Sequence, residues 1–248
     1  MNPAPDLYLR GSASFGQARL FGPVDITLPA GRWSCLLGPS GVGKSTILNL
    51  LAGIATDVRF DGSFGASDNH RLGGRIALMA QEDLLLPWLD LAHNVTIGAR
   101  LRGDKADLKR AQDLLQEVGL GAHLHKRPSE LSGGQRQRVA LARTLMEDRP
   151  VVLLDEPFSA LDARTRADMQ DLAATMLKGR TVLHVTHDPA EAARLGHQIL
   201  VLSQAELTSI EPPASPTPRP VDDSKVLSLQ ADLLNFLRQD PSCAQPNS

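Results

Sequence analysis

The sequence is poor in features that would place the protein outside the cell or across a membrane. Its 248 residues contain two cysteines, Cys35 in the apolar run WSCLLG and Cys243 in a polar tail. This favours a buried thiol and a tail thiol over a disulfide, which fits a reducing cytoplasm. No run approaches the roughly 18 uninterrupted apolar residues of a spanning helix. The first residues, MNPAPDLYLRGS, lack the basic flank and apolar centre of a signal peptide. We therefore expect any role at a membrane to act through a partner chain.

The chain also lacks an excess of positive charge. Lysine and arginine number 26 against 28 aspartates and glutamates, which gives a net charge of −2. This argues against a broad electrostatic grip on nucleic acid, although a local basic patch remains compatible with it. We therefore expect no nucleic-acid partner. Hydrophobic residues make up 42% of the chain, enough for a folded core in one large domain, with or without an additional lobe.

Short apolar runs alternate with helical patterns along most of the chain. Seven runs predict strands: DLYLR, VDITL, WSCLLG, RIALMAQ, VVLLDEP, TVLHVTHD and QILVLS. Five segments predict helices: KSTILNLLAG, KADLKRAQDLLQEVGL, GQRQRVALARTLM, ARTRADMQDLAATMLKG and PAEAARLG. The apolar face of the second helix is expected to comprise Leu108, Leu114, Leu115 and Val118. This alternation predicts an α/β fold with a mostly parallel sheet covered by helices.

The composition changes near the carboxyl terminus. EPPASPTPRP, from Glu211 to Pro220, predicts an extended spacer because proline prevents regular hydrogen-bonded ladders. The following VLSLQADLLNFLRQ has apolar residues at helical spacing, so it predicts either a short docked helix or a partly ordered tail. We expect one domain over residues 1–210 and a Pro-rich linker with a tail over residues 211–248.

The segment GPSGVGKST follows a predicted strand and opens a predicted helix. It matches G-x-x-x-x-G-K-[ST], a phosphate loop whose backbone N–H groups form a concave anion site at a helix N-terminus. Lys44 is expected to reach the β- and γ-phosphates of a nucleotide, and the Ser45 hydroxyl to bind Mg²⁺. The expected ATP-binding residues are Gly38, Pro39, Ser40, Gly41, Val42, Gly43, Lys44, Ser45 and Thr46.

VVLLDEP places two carboxylates at the carboxyl end of a predicted strand. Ligands bind at that end of open parallel sheets. Asp155 is expected to organise the metal, and Glu156 to orient the attacking water. The alternative is that this acidic pair caps the next helix, with Pro157 beginning a turn.

A second glycine pair lies in LSGGQRQR, from Leu131 to Arg138, without the lysine of a phosphate loop. GxxxxGKS, Gln81, LSGGQ, VVLLDEP, SALD and THD follow one another in this order, and residues 5–205 thereby resemble the ATP-binding-cassette (ABC) ATPase family. The resemblance implies a P-loop NTPase fold with a mostly parallel core sheet, an antiparallel β subdomain and a helical lobe at roughly residues 84–150. It also implies a head-to-tail dimer, in which the signature of one chain contacts the γ-phosphate bound by the other. The signature residues are Ser132, Gly133, Gly134 and Gln135.

Further roles follow from the same resemblance. Gln81 matches the glutamine that contacts Mg²⁺ and the attacking water, and His187 the switch histidine that contacts the γ-phosphate and the catalytic glutamate. Asp162 matches the loop that lines the dimer seam. Phe15 matches the aromatic residue that stacks on adenine, and Tyr8 is the alternative residue for this role. The alternative for Phe15 is that it only packs on the sheet.

The motifs also resemble those of importer ATPases. LLLPW, at the start of the Leu84–Val95 region, falls where a separate membrane permease contacts the ATPase in ABC transporters. The sequence is similar to subunits of importers for nitrate, sulfonates, taurine and thiamine precursors, most of all those for the hydroxymethylpyrimidine precursor. This implies ATP and Mg²⁺ as cofactors, an indirect periplasmic solute-binding partner, and a place at the cytoplasmic face of the cell membrane. Because symmetric pairs are the commonest assemblies, we expect the second ATPase subunit to be identical, with a different cassette as the alternative. A soluble ABC ATPase acting on DNA or ribosomes and a non-hydrolysing scaffold are the alternatives.

Overall fold

The computed structural model describes residues 4–203 and 206–239, within which a core sheet, a smaller sheet and a group of helices can be distinguished. The strands are β1 (Leu7–Phe15), β2 (Ala18–Leu28), β3 (Trp33–Leu37), β4 (Arg59–Ala66), β5 (Ile76–Met79), β6 (Val151–Asp155), β7 (Thr181–Thr186), β8 (Gln198–Leu202) and β9 (Leu207–Ile210). The α-helices are α1 (Lys44–Ala52), α2 (Leu91–Val95), α3 (Ile97–Arg102), α4 (Leu108–Glu117), α5 (Gly133–Met146), α6 (Ala163–Met176), α7 (Pro189–Leu195) and α8 (Ser224–Gln239).

The core sheet has six strands in the order β5-β6-β7-β3-β8-β9. The first five are parallel and β9 runs antiparallel to β8. Every residue of β3, β6 and β7 is buried, which is why these strands appear in the sequence as mainly apolar runs. The predicted α/β fold with a mostly parallel sheet is confirmed.

A second, antiparallel sheet has the order β2-β1-β4. The sequence pattern predicts no strand at β4, whose RFDGSFGA combines two glycines and an aspartate with few strand-forming residues. The strand forms because its backbone approaches β1 closely at facing glycines. A Cβ on Gly62 would lie only 2.0 Å from the carbonyl oxygen of Arg10, so no other residue fits there without movement. Strand β2 also begins at Ala18, earlier than VDITL predicts.

Helices α2, α4 and α5 pack against one another beside the core sheet. The apolar face of α4 buries Ala111, Leu114 and Leu115, and Val118 follows it into the core. Leu108, expected on that face, is 41% exposed because it is the first helical residue, preceded by the capping Asp107. None of the helices within residues 4–203 and 206–239 combines the length and apolar content needed to cross a bilayer.

The Pro-rich segment is not a free spacer. Arg219 within it is 2% exposed and donates hydrogen bonds to the carbonyl oxygens of Ala193, Gly196 and Pro213 at 2.9, 2.8 and 2.6 Å. The segment therefore binds back onto the end of α7 and delivers α8 to that helix, where Val226 and Leu233 are buried.

Cys35 is the cysteine that lies within the described residues. Cys35 lies in β3 of the core sheet and is fully buried, which raises the pKa of its thiol. The expected tail thiol, Cys243, lies outside the described residues.

Candidate functional site

The phosphate loop joins the end of β3 to the start of α1, and the packing of the chain itself explains its glycines. Gly41 and Gly43 have φ angles of 81° and 101°, in the left-handed region that side chains disfavour. A Cβ on Gly43 would come within 2.9 Å of the Phe21 ring, and one on Gly38 within 2.3 Å of the Leu202 carbonyl oxygen. Gly43 offers no side chain to cap α1, so the first N–H groups of this helix remain available for an anion.

Lys44 is the buried cation of this loop. Its ammonium group donates to the carbonyl oxygens of Gly38 and Pro39, both at 2.7 Å, and so lies within the curve of the loop. Phosphate oxygens in that curve would be stronger acceptors than carbonyls, because a hydrogen bond between two charged groups is roughly twice as strong as a neutral one. The loop therefore has the cation and the backbone donors that a polyphosphate requires.

Asp155 ends β6 beside this loop. Its burial raises the pKa of the carboxyl group, while a hydrogen bond from the Ser45 hydroxyl acts in the opposite direction and the neighbouring Glu156 charge raises the pKa further. A carboxylate held in such surroundings gains when a cation lies next to it. Carboxylate and hydroxyl oxygens are also the ligands that Mg²⁺ prefers, so Asp155 and Ser45 fit a magnesium ion bound with nucleotide phosphates.

Glu156 is the point on which two other predicted residues converge. Gln81 Nε2 donates to Glu156 Oε2 at 3.3 Å, and His187 Nδ1 lies 3.0 Å from Glu156 Oε1. Glu156 has a φ of 47°, a strained conformation for a residue with a side chain. It does not cap the next helix, because α6 begins only at Ala163 and is capped by Asp162. The alternative reading of this acidic pair as a helix cap is therefore wrong.

The phosphate loop opens into a cavity of about 270 Å³. Gln81 and Glu156 line it together with Lys44, so the groups predicted for phosphate binding and for water activation border one space. The lining residues are Leu20, Ser40, Gly41, Gly43, Lys44, Ser45, Thr46, Gln81 and Glu156. No signature residue is among them.

The signature forms the start of α5. Ser132 and Gln135 make a reciprocal capping box, in which Gln135 N donates to Ser132 Oγ at 3.3 Å and Ser132 N donates to Gln135 Oε1 at 2.9 Å. Because Ser132 Oγ accepts within the chain, its own hydrogen remains for donation to solvent or a ligand. Ser132 and Gly133 are exposed, and Gly134 is half-buried. The signature thus presents donors at a helix N-terminus, away from the chain's own phosphate loop.

The remaining predicted residues, Asp162, Phe15 and Tyr8, do not line the phosphate cavity. Asp162 accepts a hydrogen bond from Thr165 N at 3.1 Å, and hydrogen bonds from Thr165 lower the pKa of this exposed carboxyl group. Phe15 is exposed at the end of β1 and does not line the phosphate cavity. Tyr8 lines a different cavity beside Gly53, at the far end of α1, which argues against contact with a nucleotide in the loop.

Sequence reasoning missed a buried network behind the switch histidine. Glu191 Oε2 lies 3.1 Å from His184 Nε2 and accepts from Thr186 Oγ1 at 2.8 Å. Burial raises the pKa of Glu191, but hydrogen bonds from His184 and Thr186 outweigh it and hold the pKa below its usual range. Thr186 Oγ1 in turn accepts from Asp188 N at 3.0 Å, so this network fixes the turn that carries His187. A histidine inside an apolar strand, TVLHVT, was the available signal.

The LLLPW segment divides its apolar residues between core and surface. Leu85 is buried, whereas Leu84 and Trp88 are 58% and 66% exposed. The loop is held by the buried Asn94, whose side chain accepts from Leu86 N at 2.8 Å and donates to Leu86 O at 3.1 Å. Arg143 of α5 donates to the Leu84 carbonyl at 2.8 Å. The exposed leucine and tryptophan therefore stand on a fixed support.

Comparison with known sequences gives one family. The family model described as "ABC transporter" matches residues 21–159. An "Uncharacterized ABC transporter ATP-binding protein" of Haemophilus influenzae is 45% identical over 91% of this chain and 95% of its own length. An "Aliphatic sulfonates import ATP-binding protein" of Pseudomonas aeruginosa is 39% identical over 95% of this chain and 85% of its own, and one of Rhodococcus jostii is 42% identical over 87% and 86%.

Solved structures share the fold. A dimeric ATP-binding cassette in a post-hydrolysis state, bound to ADP and Pi, matches with a TM-score of 0.73 and 27% identity, covering 84% of this chain and all of its own. A bacterial Atm1-family ABC exporter with ATP bound matches with a TM-score of 0.72 at 23% identity, over 94% of this chain and 42% of its own. The second likeness shows the fold alone.

Proposed function

This chain belongs to the ABC transporter family and is an ATPase, and we propose that it is the ATP-hydrolysing subunit of an importer, working as a head-to-tail pair. The observation that carries the proposal is the convergence of Gln81 and His187 on Glu156, across one cavity from Lys44 and Ser45. A scaffold that does not hydrolyse ATP has no need of a carboxylate held between an amide and an imidazole beside a phosphate loop.

Binding of ATP rests on the phosphate loop. Lys44 exchanges its loop carbonyls for β- and γ-phosphate oxygens, while the backbone N–H groups at the start of α1 receive the remaining charge. Ser45 and Asp155, with Gln81, are the residues that would hold Mg²⁺. When bound, Mg²⁺ neutralises charge on the phosphates. Phe15 is proposed as the ring that stacks on adenine, since it is the exposed aromatic residue of the antiparallel sheet nearest in sequence to Leu20 at the cavity wall.

Hydrolysis rests on Glu156. Its carboxylate orients a water molecule and accepts a proton from it as the water attacks the terminal phosphate. Gln81 donates to one carboxylate oxygen and His187 lies against the other, so the side chain is held in one orientation. Positioning of this kind accounts for most of the catalysis that a protein can offer to phosphoryl transfer.

The site is completed by a second copy of the chain. The exposed donors of Ser132 and Gly133, at the positive end of α5, suit the terminal phosphate of an ATP held by the partner's Lys44. ATP then contacts both protomers and favours their closed arrangement, and release of phosphate lets them part. Asp162 is proposed to lie along the seam between them. The dimeric form of the solved cassette with ADP and Pi supports this arrangement.

The exposed surface formed by Leu84 and Trp88 is proposed to receive a separate membrane permease, within the Leu84–Val95 region. Exposed apolar side chains on a rigid support are typical of protein interfaces. The subunit would then lie at the cytoplasmic face of the membrane and respond, through the permease, to a solute-binding protein outside. The importer names of the relatives from Pseudomonas and Rhodococcus support this direction of transport.

The solute is proposed from the relatives alone, because this chain does not bind it. The thiamine pyrimidine precursor expected from the sequence has no support among the relatives described above, whereas aliphatic sulfonates have. A strain lacking this gene, supplied with an alkanesulfonate as its sulfur source, should fail to grow and should recover on sulfate. Normal growth on the sulfonate, together with a requirement for the pyrimidine precursor, would reverse the choice.

The hydrolytic role is tested with Glu156→Gln. Because this substitution removes the carboxylate but keeps the shape of the side chain, ATP affinity should remain and the hydrolysis rate should fall about 10²- to 10⁴-fold. Glu147→Gln is the matched control, since Glu147 is engaged with Arg102 at the far end of α5. Release of phosphate by Glu156→Gln at the wild-type rate would remove Glu156 from its role.

The permease contact is tested with Trp88→Ala in a reconstituted complex. The isolated subunit should hydrolyse ATP at the wild-type rate, whereas solute uptake and co-purification with the permease should decline. Leu101→Ala is the matched control, because Leu101 is also a large exposed apolar residue but lies outside the loop. Equal losses from both variants would show that the effect is not specific to this surface.

A further inference from the structure

Gln137 is a buried amide that the roles assigned above do not use. It lies in α5, five residues after Ser132, and is 6% exposed. Its Nε2 donates to the backbone carbonyl of Glu156 at 3.1 Å, and its Oε1 accepts from Ala160 N at 3.0 Å. One side chain therefore binds both ends of the segment that follows β6, from the hydrolytic glutamate to the SALD loop.

The Glu156 backbone needs such support. Its left-handed φ of 47° is maintained only when surrounding contacts oppose relaxation. Glu156 N donates to Val185 O at 2.9 Å, and Ser159 Oγ donates to the same Glu156 carbonyl at 3.0 Å. Gln137 is the contact that comes from the signature helix, and it holds the backbone carbonyl of the residue that carries the hydrolytic carboxylate.

A second contact joins the same helix to the same segment. A Cβ on Gly134 would lie 3.2 Å from the Ala160 carbonyl oxygen and 3.2 Å from Leu161 Cδ2, so α5 approaches the SALD loop as closely as glycine permits. Ser132 and Gln137 are five residues apart on one helix, or about 7.5 Å along its axis. A displacement of Ser132 along that axis also moves Gln137, because an α-helix does not compress over so short a length.

We propose that Gln137 is a positioning residue for Glu156, and that through it the helix which caps the partner's ATP also aligns the chain's own hydrolytic carboxylate. The inference rests on the proposed head-to-tail pair and assigns a route between its two ATP sites. When the partner's terminal phosphate holds Ser132 in contact, α5 is fixed in place, and Gln137, already bonded to the Glu156 carbonyl, holds Glu156 in the position for attack on the other ATP. Each site is then active only when the opposite site is filled.

The first test separates positioning from binding. Gln137→Met removes, at similar volume, the hydrogen bonds with Glu156 O, Ser159 Oγ and Ala160 N, and Gln137→Glu keeps an acceptor for Ala160 N but cannot donate to Glu156 O. Nucleotide affinity and ATP-driven dimerisation should stay within about twofold of wild type, and single-turnover hydrolysis should fall about 100-fold, as expected for a catalytic group displaced by an ångström. Thr144→Val, another buried polar residue of α5 that bonds only within its helix, should have no such effect. Wild-type hydrolysis by Gln137→Glu would overturn the proposal.

A double-mutant cycle tests whether Gln137 acts through Glu156. Adding Gln137→Met to Glu156→Gln should not lower the residual hydrolysis rate further, because the group being positioned is already absent. A purely structural role would multiply the two losses and would contradict the proposal. The outcomes also separate the two levels of inference. If Glu156→Gln hydrolyses normally, the proposed catalytic role fails, whereas a dead Glu156→Gln beside an active Gln137→Met rejects only the role of Gln137.

Linked mixed dimers test the route between sites. One protomer carries Ser132→Ala and keeps Glu156, and its partner carries Glu156→Gln and keeps Ser132. Only the first protomer's ATP is hydrolysed, and it is capped by the partner's intact Ser132. A loss caused by Ser132→Ala passes either within the first protomer to its own Glu156 or through weaker closure of the pair around the partner's ATP, and Gln137→Met in the first protomer distinguishes the two.

We expect a single-turnover rate at least about fivefold lower than in the same linked dimer without Ser132→Ala. Placing Gln137→Met in the first protomer should then abolish the difference that Ser132→Ala makes. Equal rates with and without Ser132→Ala, or a difference that persists beside Gln137→Met, would overturn the route.

Discussion

The phosphate loop and the signature both contain glycines, but the two segments contain them for different reasons. In the loop from Gly38 to Thr46, left-handed backbone and close contacts with Phe21 and Leu202 account for the glycines, and Lys44 is buried within the curve. In the signature, Gly133 has no positive φ, and an added Cβ would meet only Arg136 Nη2, at 3.9 Å. The first segment is explained by the chain itself. In the second, Gly133 is exposed and has no such explanation within the chain, which agrees with the proposed contact to a ligand held by another copy.

The largest expected effect is that of a substitution in the phosphate loop. Lys44→Ala removes the cation that the phosphates would contact, and should weaken ATP binding about 10- to 100-fold, as expected for a lost charge-assisted hydrogen bond. The weakening should appear in the monomer, measured by titration with a fluorescent ATP analogue. Unchanged affinity would mean that the loop does not bind the nucleotide.

A substitution in the signature should affect hydrolysis rather than ATP binding by the monomer. Ser132→Ala should leave ATP affinity of the monomer unchanged but slow steady-state hydrolysis about tenfold, because it removes a donor to the partner's phosphate. It also removes a helix cap, at a cost of about 1 kcal/mol in the free energy of unfolding. Asp107→Ala removes the comparable cap of α4, where Asp107 accepts from Arg110 N, and is the matched control. If both variants slow hydrolysis equally, stability rather than contact in trans explains the loss.

A third prediction contrasts one glycine from each segment. Gly133→Ala should stabilise the isolated subunit by about 0.4–1 kcal/mol, since the site is open and the backbone ordinary, yet it should weaken ATP-driven dimerisation. Gly43→Ala should destabilise the subunit by about 1–3 kcal/mol, because its φ is positive and its Cβ would crowd Phe21. Chemical denaturation and size-exclusion chromatography with ATP measure both. Dimerisation unaffected by Gly133→Ala would remove the external reason for that glycine.

The smallest effect is expected away from both segments, at Asp68. Its hydrogen bond with Arg75 lowers the pKa of this exposed carboxyl group from 3.8 to about 2. The folded-state pKa lies below the unfolded one, so the pair stabilises the fold above about pH 4 and loses that contribution as pH falls toward 2. Asp68→Asn should therefore slightly lower the unfolding midpoint near neutral pH, with no change in hydrolysis. An NMR titration that gives Asp68 a pKa near 3.8 would contradict the pairing.

The sequence predicts the parallel sheet well because its strands are buried on both faces and appear as apolar runs. It fails for β4, whose pairing depends on the close approach of Gly11 and Gly62, a tertiary contact without a local signal. It also fails for the Pro-rich segment, where the buried Arg219 binds the carbonyl oxygens of two distant residues, Ala193 and Gly196, as well as that of Pro213 in the same segment. Local composition describes what a segment prefers alone, and here tertiary hydrogen bonds override it.

The candidate site divides in a similar way. Ordered motifs name the groups expected to touch ATP, because phosphate chemistry demands particular residue types at fixed spacing. The residues that hold those groups in place, Gln137 and Glu191, carry no such signature. Their function comes from burial and from partners on other elements, β7 for Glu191 and the segment after β6 for Gln137, and only the folded structure reveals it.

A crystal structure of the Glu156→Gln variant with ATP and Mg²⁺ tests most directly whether the signature binds the partner's ATP. The predicted result is a pair of chains in which Ser132 of each lies within hydrogen-bonding distance of the terminal phosphate held by Lys44 of the other. A structure with ATP bound in which Ser132 faces solvent, remote from the partner's nucleotide, would contradict it.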